Sequence, residues 1–138
     1  MANHTIQLNV KAQELLNDGY TKGSTDLNNY CTFNGQPPNS NLELFITNVK
    51  LGDEIEWTGQ AENGNYQIEI TNITRQSGKH LLDLKNTLNS NGPKKKCKIK
   101  SNKKYRKNNW EKYNLFFRID GQDPEYEIDP IINIHGSR

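Results

Sequence analysis

The sequence predicts an all-β fold: a β-sandwich of eight or nine short, mainly antiparallel strands with at most one short helix. Three observations point there. Apolar and polar residues alternate in short blocks, the pattern of a strand buried on one face. The blocks are rich in Ile, Leu, Val, Phe, Tyr and Trp, which fit a pleated, half-buried surface. Clusters of Gly, Pro, Asn and Asp punctuate them at short intervals.

In chain order, residues 4–11 place Ile6, Leu8 and Val10 on one face. A short helix is expected around 11–17, stopped by Gly19. Residues 42–50 offer Leu42, Leu44 and Ile46 on one face, with Phe45 and Val49 on the other. Residues 53–58 put Ile55 and Trp57 together. Residues 66–74 carry Tyr66, Ile68 and Ile70, then shift register before Ile73, which predicts a bulge. Residues 112–119 give Tyr113, Leu115, Phe117 and Ile119, and residues 126–134 give Tyr126, Ile128, Ile132 and Ile134. Pro130 places a bulge or a sheet edge inside that last strand. Weaker strands are expected at 29–34, 79–85 and 96–100. Turns are expected at Asn34–Pro38, Leu51–Asp53, Glu62–Asn65, Gln76–Gly78, Asn91–Pro93 and Asp120–Pro124.

At 138 residues, the chain suits a single domain spanning 1–138. Hydrophobic residues make up 32% and mean hydropathy is −0.97, so the core must be thin, one sandwich deep. The 20 asparagines suit polar strand faces and left-handed turn positions. The first residues run straight into the Ile6–Val10 alternation with no basic or apolar leader, and no window reaches the roughly 18 apolar residues of a membrane span. The expected location is cytoplasmic, although signal-independent export would leave no trace. Cys31 and Cys97 are expected as free, buried thiols in that compartment.

Charge is the strongest asymmetry. Residues 94–107 hold nine basic residues and no acidic one: Lys94, Lys95, Lys96, Lys98, Lys100, Lys103, Lys104, Arg106 and Lys107. The other nine basic residues face all sixteen acidic ones, a net of −7. Asp120, Asp123, Glu125, Glu127 and Asp129 crowd the C-terminal part. The basic run could contact phosphates, with Tyr105 and Trp110 stacking on bases, although no fold-specific nucleic-acid motif accompanies it. It could meet the acidic stretch of a second copy. Or it is a solvated hairpin, with Cys97 and Ile99 inward and Lys96, Lys98 and Lys100 in water.

Motifs for chemistry are missing. There is no G-x-S-x-G, P-loop or G-x-G-x-x-G, and His4, His80 and His135 are isolated in sequence. No catalytic residue, metal ligand or cofactor is therefore assigned. The run Val49-Lys50-Leu51-Gly52-Asp53-Glu54-Ile55-Glu56-Trp57 resembles the turn-and-strand of cupredoxins. A blue-copper site needs two His, a thiolate and usually an axial ligand such as Met, and the only methionine is Met1. Asp120–Glu125 is oxygen-rich but lacks the calcium-loop pattern. A glycan site would draw on Trp110 beside Asn108 and Asn109, and on Tyr66 beside Asn65.

Two segments are similar to the AidA/PixA family of bacterial inclusion-body proteins: Gly52–Trp57, similar to its "V-G-D-x-I-x-W" strand, and Tyr126–Ile134, similar to its terminal "Y-x-x-D-P-x-I-x-I". The match covers about fifteen residues. The lysine-rich run at 94–107 and the single Met depart from the family pattern. The resemblance implies an Ig-like or cupredoxin-like β-sandwich that accumulates or self-assembles, and it transfers no catalytic residues. The leading expectation is a non-enzymatic, self-associating structural protein and homo-oligomer, acting through surfaces. A lectin-like module with a glycan partner is the alternative. Nucleic-acid or anion binding through the basic run comes third, and no membrane partner is expected.

Overall fold

The computed structural model describes residues 2–19, 26–105 and 109–134. Among these residues ten strands form two sheets. The first sheet contains β1 (Asn3–Val10), β2 (Cys31–Phe33), β4 (Glu54–Ala61), β6 (Asn89–Asn91) and β7 (Lys94–Lys98), in the order β2-β1-β4-β7-β6. The second contains β3 (Ile46–Val49), β5 (Ile68–Gly78), β8 (Trp110–Ile119), β9 (Gln122–Ile128) and β10 (Ile131–Ile134). Its order is β3-β10-β8-β5, with β9 also paired to β8. The pairings β1–β4 and β3–β10 are parallel and the rest antiparallel. A mainly antiparallel all-β sandwich is thus observed.

The alternation read from the sequence is the core. Ile6, Leu8 and Val10 of β1 and Ile55 and Trp57 of β4 face Ile70, Ile73, Tyr113, Leu115 and Phe117 of the second sheet, all buried. The sheets are locked where Trp57 Nε1 donates to Tyr113 Oη at 3.0 Å, the rings meeting edge-on at 5.6 Å. Gly59 lets them approach: a Cβ there would lie 2.3 Å from Ile68 Cγ2. The expected bulge in β5 falls between Ile70 and Asn72, and Ile73 returns to the core beyond it. The helix α1 (Ala12–Asp18) ends with Gly19 N–H donating to Leu15 O.

Three expectations require correction. The stretch 42–50 is not one strand. Asn41 Oδ1 accepts from Glu43 N–H, and Asn28 Oδ1 accepts from Leu42 N–H, so residues 42–44 turn as a 3-10 helix before β3. That side-chain competition buries Leu42 and leaves Leu44 68% and Ile46 51% exposed. Nor is 79–85 a strand. The N–H groups of Leu81 and Leu82 both donate to the buried carboxylate of Glu111 at 2.8 Å, leaving only a single bridge, Leu82–Ile99, before the short helix α2 (Leu84–Thr87). Finally, Gln76–Gly78 continues β5 through a second register shift instead of turning.

At Asp129-Pro130 the C-terminal strand breaks into β9 and β10, as proline demands. Its second half is not an edge, however, because β10 lies between β3 and β8.

Candidate functional site

The first part of the basic segment forms a hairpin in which Lys98 is exposed, while Lys94, Lys95 and Lys96 are half-buried rather than fully in water. β6 and β7 pair through the Asn91-Gly92-Pro93 turn, with Cys97 and Ile99 buried. On the outer face Lys96 lies opposite Glu56 and Lys98 opposite Glu54, and Lys96 Nζ is 3.5 Å from Glu54 Oε1. Lys95 Nζ donates to Ser90 Oγ at 2.7 Å. Lys100 is half-buried, and its N–H donates to Leu81 O. Lys103 and Lys104 open a 3-10 turn (Lys103–Tyr105) in which Lys104 Nζ sits 5.0 Å from the Tyr105 ring centroid. Arg106, Lys107 and His135 lie outside the described residues.

The acidic segment is organised differently. Asp120 Oδ1 accepts from Gln67 N–H at 2.7 Å and ties the β8–β9 turn to β5. Arg118 holds Asp123 in a short ion pair and reaches Glu125 at 3.8 Å, while Thr71 Oγ1 donates to Glu125 at 2.6 Å. The hydrogen bond to Asp123 raises the Arg118 pKa. Glu127 is exposed.

In the strand order the hairpin and β9 lie on different sides of β8, but the acidic side chains reach back to β5, Glu125 to Thr71 and Asp129 to Gln76. The β6–β7 turn lies against β5, where Ile70 N–H donates to Pro93 O at 2.8 Å. β9 lies on the far side of β8 from β5. Among the described residues β6 pairs only with β7, and β9 only with β8, so each of the two ends in an open edge.

The aromatic candidates separate. Tyr66 and Tyr105 are half-buried and pack on the core, and Tyr66 Oη donates to Gln13 Oε1 at 2.6 Å. Trp110 is 46% exposed. Its indole lies on Gly78, where a Cβ would come within 2.8 Å of Cε3 and Cζ3. An open cavity of about 280 Å³ borders Trp110, Asn109, Gly78 and Lys79. A second of about 290 Å³, lined partly by Asn9, Lys11, Tyr30, Gln36 and Glu62, opens at the end of the first sheet. Of the three aromatic candidates, Trp110 is the one that borders either cavity. Its Gly78 floor was not legible in sequence, because the contact joins two strands.

The titratable groups inside the fold are structural in placement. Asp53, buried, accepts from Ala2 N–H, Lys50 N–H and His4 Nε2 at 2.8–3.1 Å, which clasps the start of β1 to the turn before β4. Glu111 binds Arg75 at 2.8 Å as well as Leu81 and Leu82. Cys31 and Cys97 are free and buried on β2 and β7, three strand positions apart, or roughly 14 Å, beyond disulfide reach. Burial raises both thiol pKa values. Among the described residues no three His, Cys, Asp or Glu side chains converge as a metal site would require, and no helix is long and apolar enough to cross a membrane.

The fold and its surfaces define the class: a two-sheet β-sandwich with parallel β1–β4 and β3–β10 pairings and charged open edges. No protein-family model matches the chain, and no curated protein matches it. Its fold is shared with the PixA inclusion body protein of Burkholderia cenocepacia, at a TM-score of 0.59 and 10% identity, over 98% of this chain and 97% of that one. The likeness seen in Gly52–Trp57 and Tyr126–Ile134 thus extends, as fold, over almost the whole molecule. The turn in the first segment has a physical basis in the Asp53 clasp, and the second segment spans the strand break at Pro130.

Proposed function

We propose that this chain is a non-enzymatic structural protein that assembles with copies of itself, as suits a fold relative described as an inclusion body protein. The observation that carries the reading is the segregation of charge: the lysine hairpin beside β5, and an acidic stretch on β9, a strand that β8 separates from β5. A contact between the basic border of one copy and the acidic border of the next is heterologous. It leaves one border free on each copy, so assembly propagates instead of closing as a symmetric dimer. Among the described residues β6 and β9 each pair with a single strand, so each offers an edge to a second copy.

Sedimentation velocity and light scattering across a salt series test this. Large species are expected at low salt and should disperse by about 0.5 M, where screening shortens the Debye length to roughly 4 Å. A Lys94→Glu/Lys98→Glu variant should stay monomeric, as should an Asp123→Lys/Glu127→Lys variant. Mixing the two should restore co-assembly, because each then supplies the charge that the other lacks. A wild-type protein that stays strictly monomeric at high concentration and low salt sinks the proposal.

A further inference from the structure

We propose that Trp110, with the asparagines in register beside it, forms a binding site for a neutral saccharide. The inference is independent of self-assembly and concerns the opposite end of β8 from Arg118. On the outer face of the second sheet, Trp110 of β8 lies opposite Asn133 of β10, and Asn133 lies opposite Asn48 of β3. Residues directly opposite share a face, with Cβ atoms about 4.5–5.5 Å apart. Trp110, Asn133 and Asn48 therefore form one cross-strand row, and Asn133 Nδ2 donates to Asn48 Oδ1 at 3.1 Å.

The indole is held in place from below. Gly78 has φ +90, and any side chain there would strike the Trp110 carbonyl at 2.5 Å and the ring at 2.8 Å. Lys79 N–H donates to Trp110 O at 2.9 Å. One face of the ring thus rests on backbone while nearly half of the residue meets solvent at the cavity. At about 280 Å³ the cavity sits near the small end of ligand pockets, roughly 300–1,000 Å³, and suits a sugar residue better than a cofactor.

The chemistry favours a sugar over the other ligands that stack. A pyranose offers an apolar C–H face to an aromatic plane and vicinal hydroxyls around its rim. A carboxamide presents a donor and an acceptor together, which matches a pair of hydroxyls. A phosphate-bearing ligand would need uncompensated cations. Lys112, the next outward residue of β8, is already shared between Glu43 at 3.9 Å and Asp129 at 4.0 Å, and among the described residues Lys79 is the one cation lining the cavity.

The chain has two tryptophans, and Trp57 is buried with its N–H bonded to Tyr113. Fluorescence changes on adding sugar therefore report on Trp110. The experiment screens the full chain on a glycan array, then titrates the methyl glycosides of glucose, galactose, mannose and N-acetylglucosamine, and the oligosaccharides that score. It is run at high salt, where electrostatic assembly is dispersed. Saturable binding in the millimolar range or tighter is expected, about −4 kcal/mol at 1 mM. Trp110→Ala should weaken it at least about tenfold, Trp110→Phe less, and Asn133→Ala several-fold, with native circular dichroism checking each fold. Absence of any array hit or titration response overturns the proposal. Retention of full affinity by folded Trp110→Ala does so too. Binding that collapses with salt would assign the platform to an anionic ligand, and would equally overturn it.

Discussion

The two charged borders differ in how their charge is held. On the acidic border, Arg118 clamps Asp123 and Glu125, Thr71 bonds Glu125, and Asp120 is committed to the backbone of Gln67. On the basic border, Lys96 is the only lysine of the segment in an ion pair among the described residues. One border has most of its charge tied into ion pairs and backbone contacts, and the other has a single ion pair among the described residues, with Lys95 on Ser90 and Lys104 over the Tyr105 ring. The lysines of the second border, mostly without a counter-charge, are therefore expected to dominate salt sensitivity. The acidic border contributes a more fixed surface.

The largest effect is expected at Glu111. Its carboxylate bonds Arg75, Leu81 and Leu82, and Lys100 N–H and Lys98 O bind back to Leu81 O and Asp83 N–H. Glu111→Ala should cost about 3–5 kcal/mol by leaving buried partners unpaired. Hydrogen exchange should rise across 79–100, while β9 changes little. Equal loosening of both borders would erase the distinction between them. Gly59→Ala comes next: a methyl group at 2.3 Å from Ile68 should cost about 1–3 kcal/mol in urea unfolding, and should weaken both borders together because it parts the sheets.

Alkaline pH should act through the core and spare the difference between borders. Burial raises the pKa values of Cys31, Cys97 and Tyr113, so the folded state keeps protons that the unfolded chain releases from about pH 8.5 for thiols and about 10 for the phenol. The stability tied to these groups is complete below those values and is lost as pH rises through them. The urea midpoint should fall between about pH 8.5 and 11, and less so in Cys31→Ala/Cys97→Ala. The same burial predicts that neither thiol reacts with a thiol reagent at neutral pH until the protein unfolds.

The smallest effect is expected from Arg118→Ala. Asp123 is exposed, so stability should barely move. Association at low salt should strengthen a few-fold, because the acidic border loses its internal counter-charge. Weaker association would show instead that the clamp orders the interface.

Much of the fold was legible because strand alternation is local: Ile6–Val10, Ile55 with Trp57, and Tyr113–Ile119 each read as buried faces, and each is one. The bulge before Ile73 was visible as a break in the same period. The stretches that misled did so for a common reason. At 42–46 the side chains of Asn28 and Asn41 take backbone N–H groups that a strand would have used, and at 81–82 Glu111 does the same from 29 to 30 residues away. A hydrogen-bond acceptor distant in sequence leaves no trace in local periodicity. The candidate surfaces divide likewise: the basic run, the acidic run and Trp110 were legible as residues, but not the Gly78 floor or the Asn133–Asn48 row.

By itself the sequence determined the layers, the core residues and the segregation of charge, because hydrophobic period and composition are properties of neighbouring residues. Only the tertiary structure decided that β8 lies between β9 and the strand the lysine hairpin meets, that the C-terminal strand sits inside its sheet, and that one tryptophan lies open on a glycine. Those are matters of strand order and register. Both are set by contacts between residues tens of positions apart, through packing that no local pattern encodes.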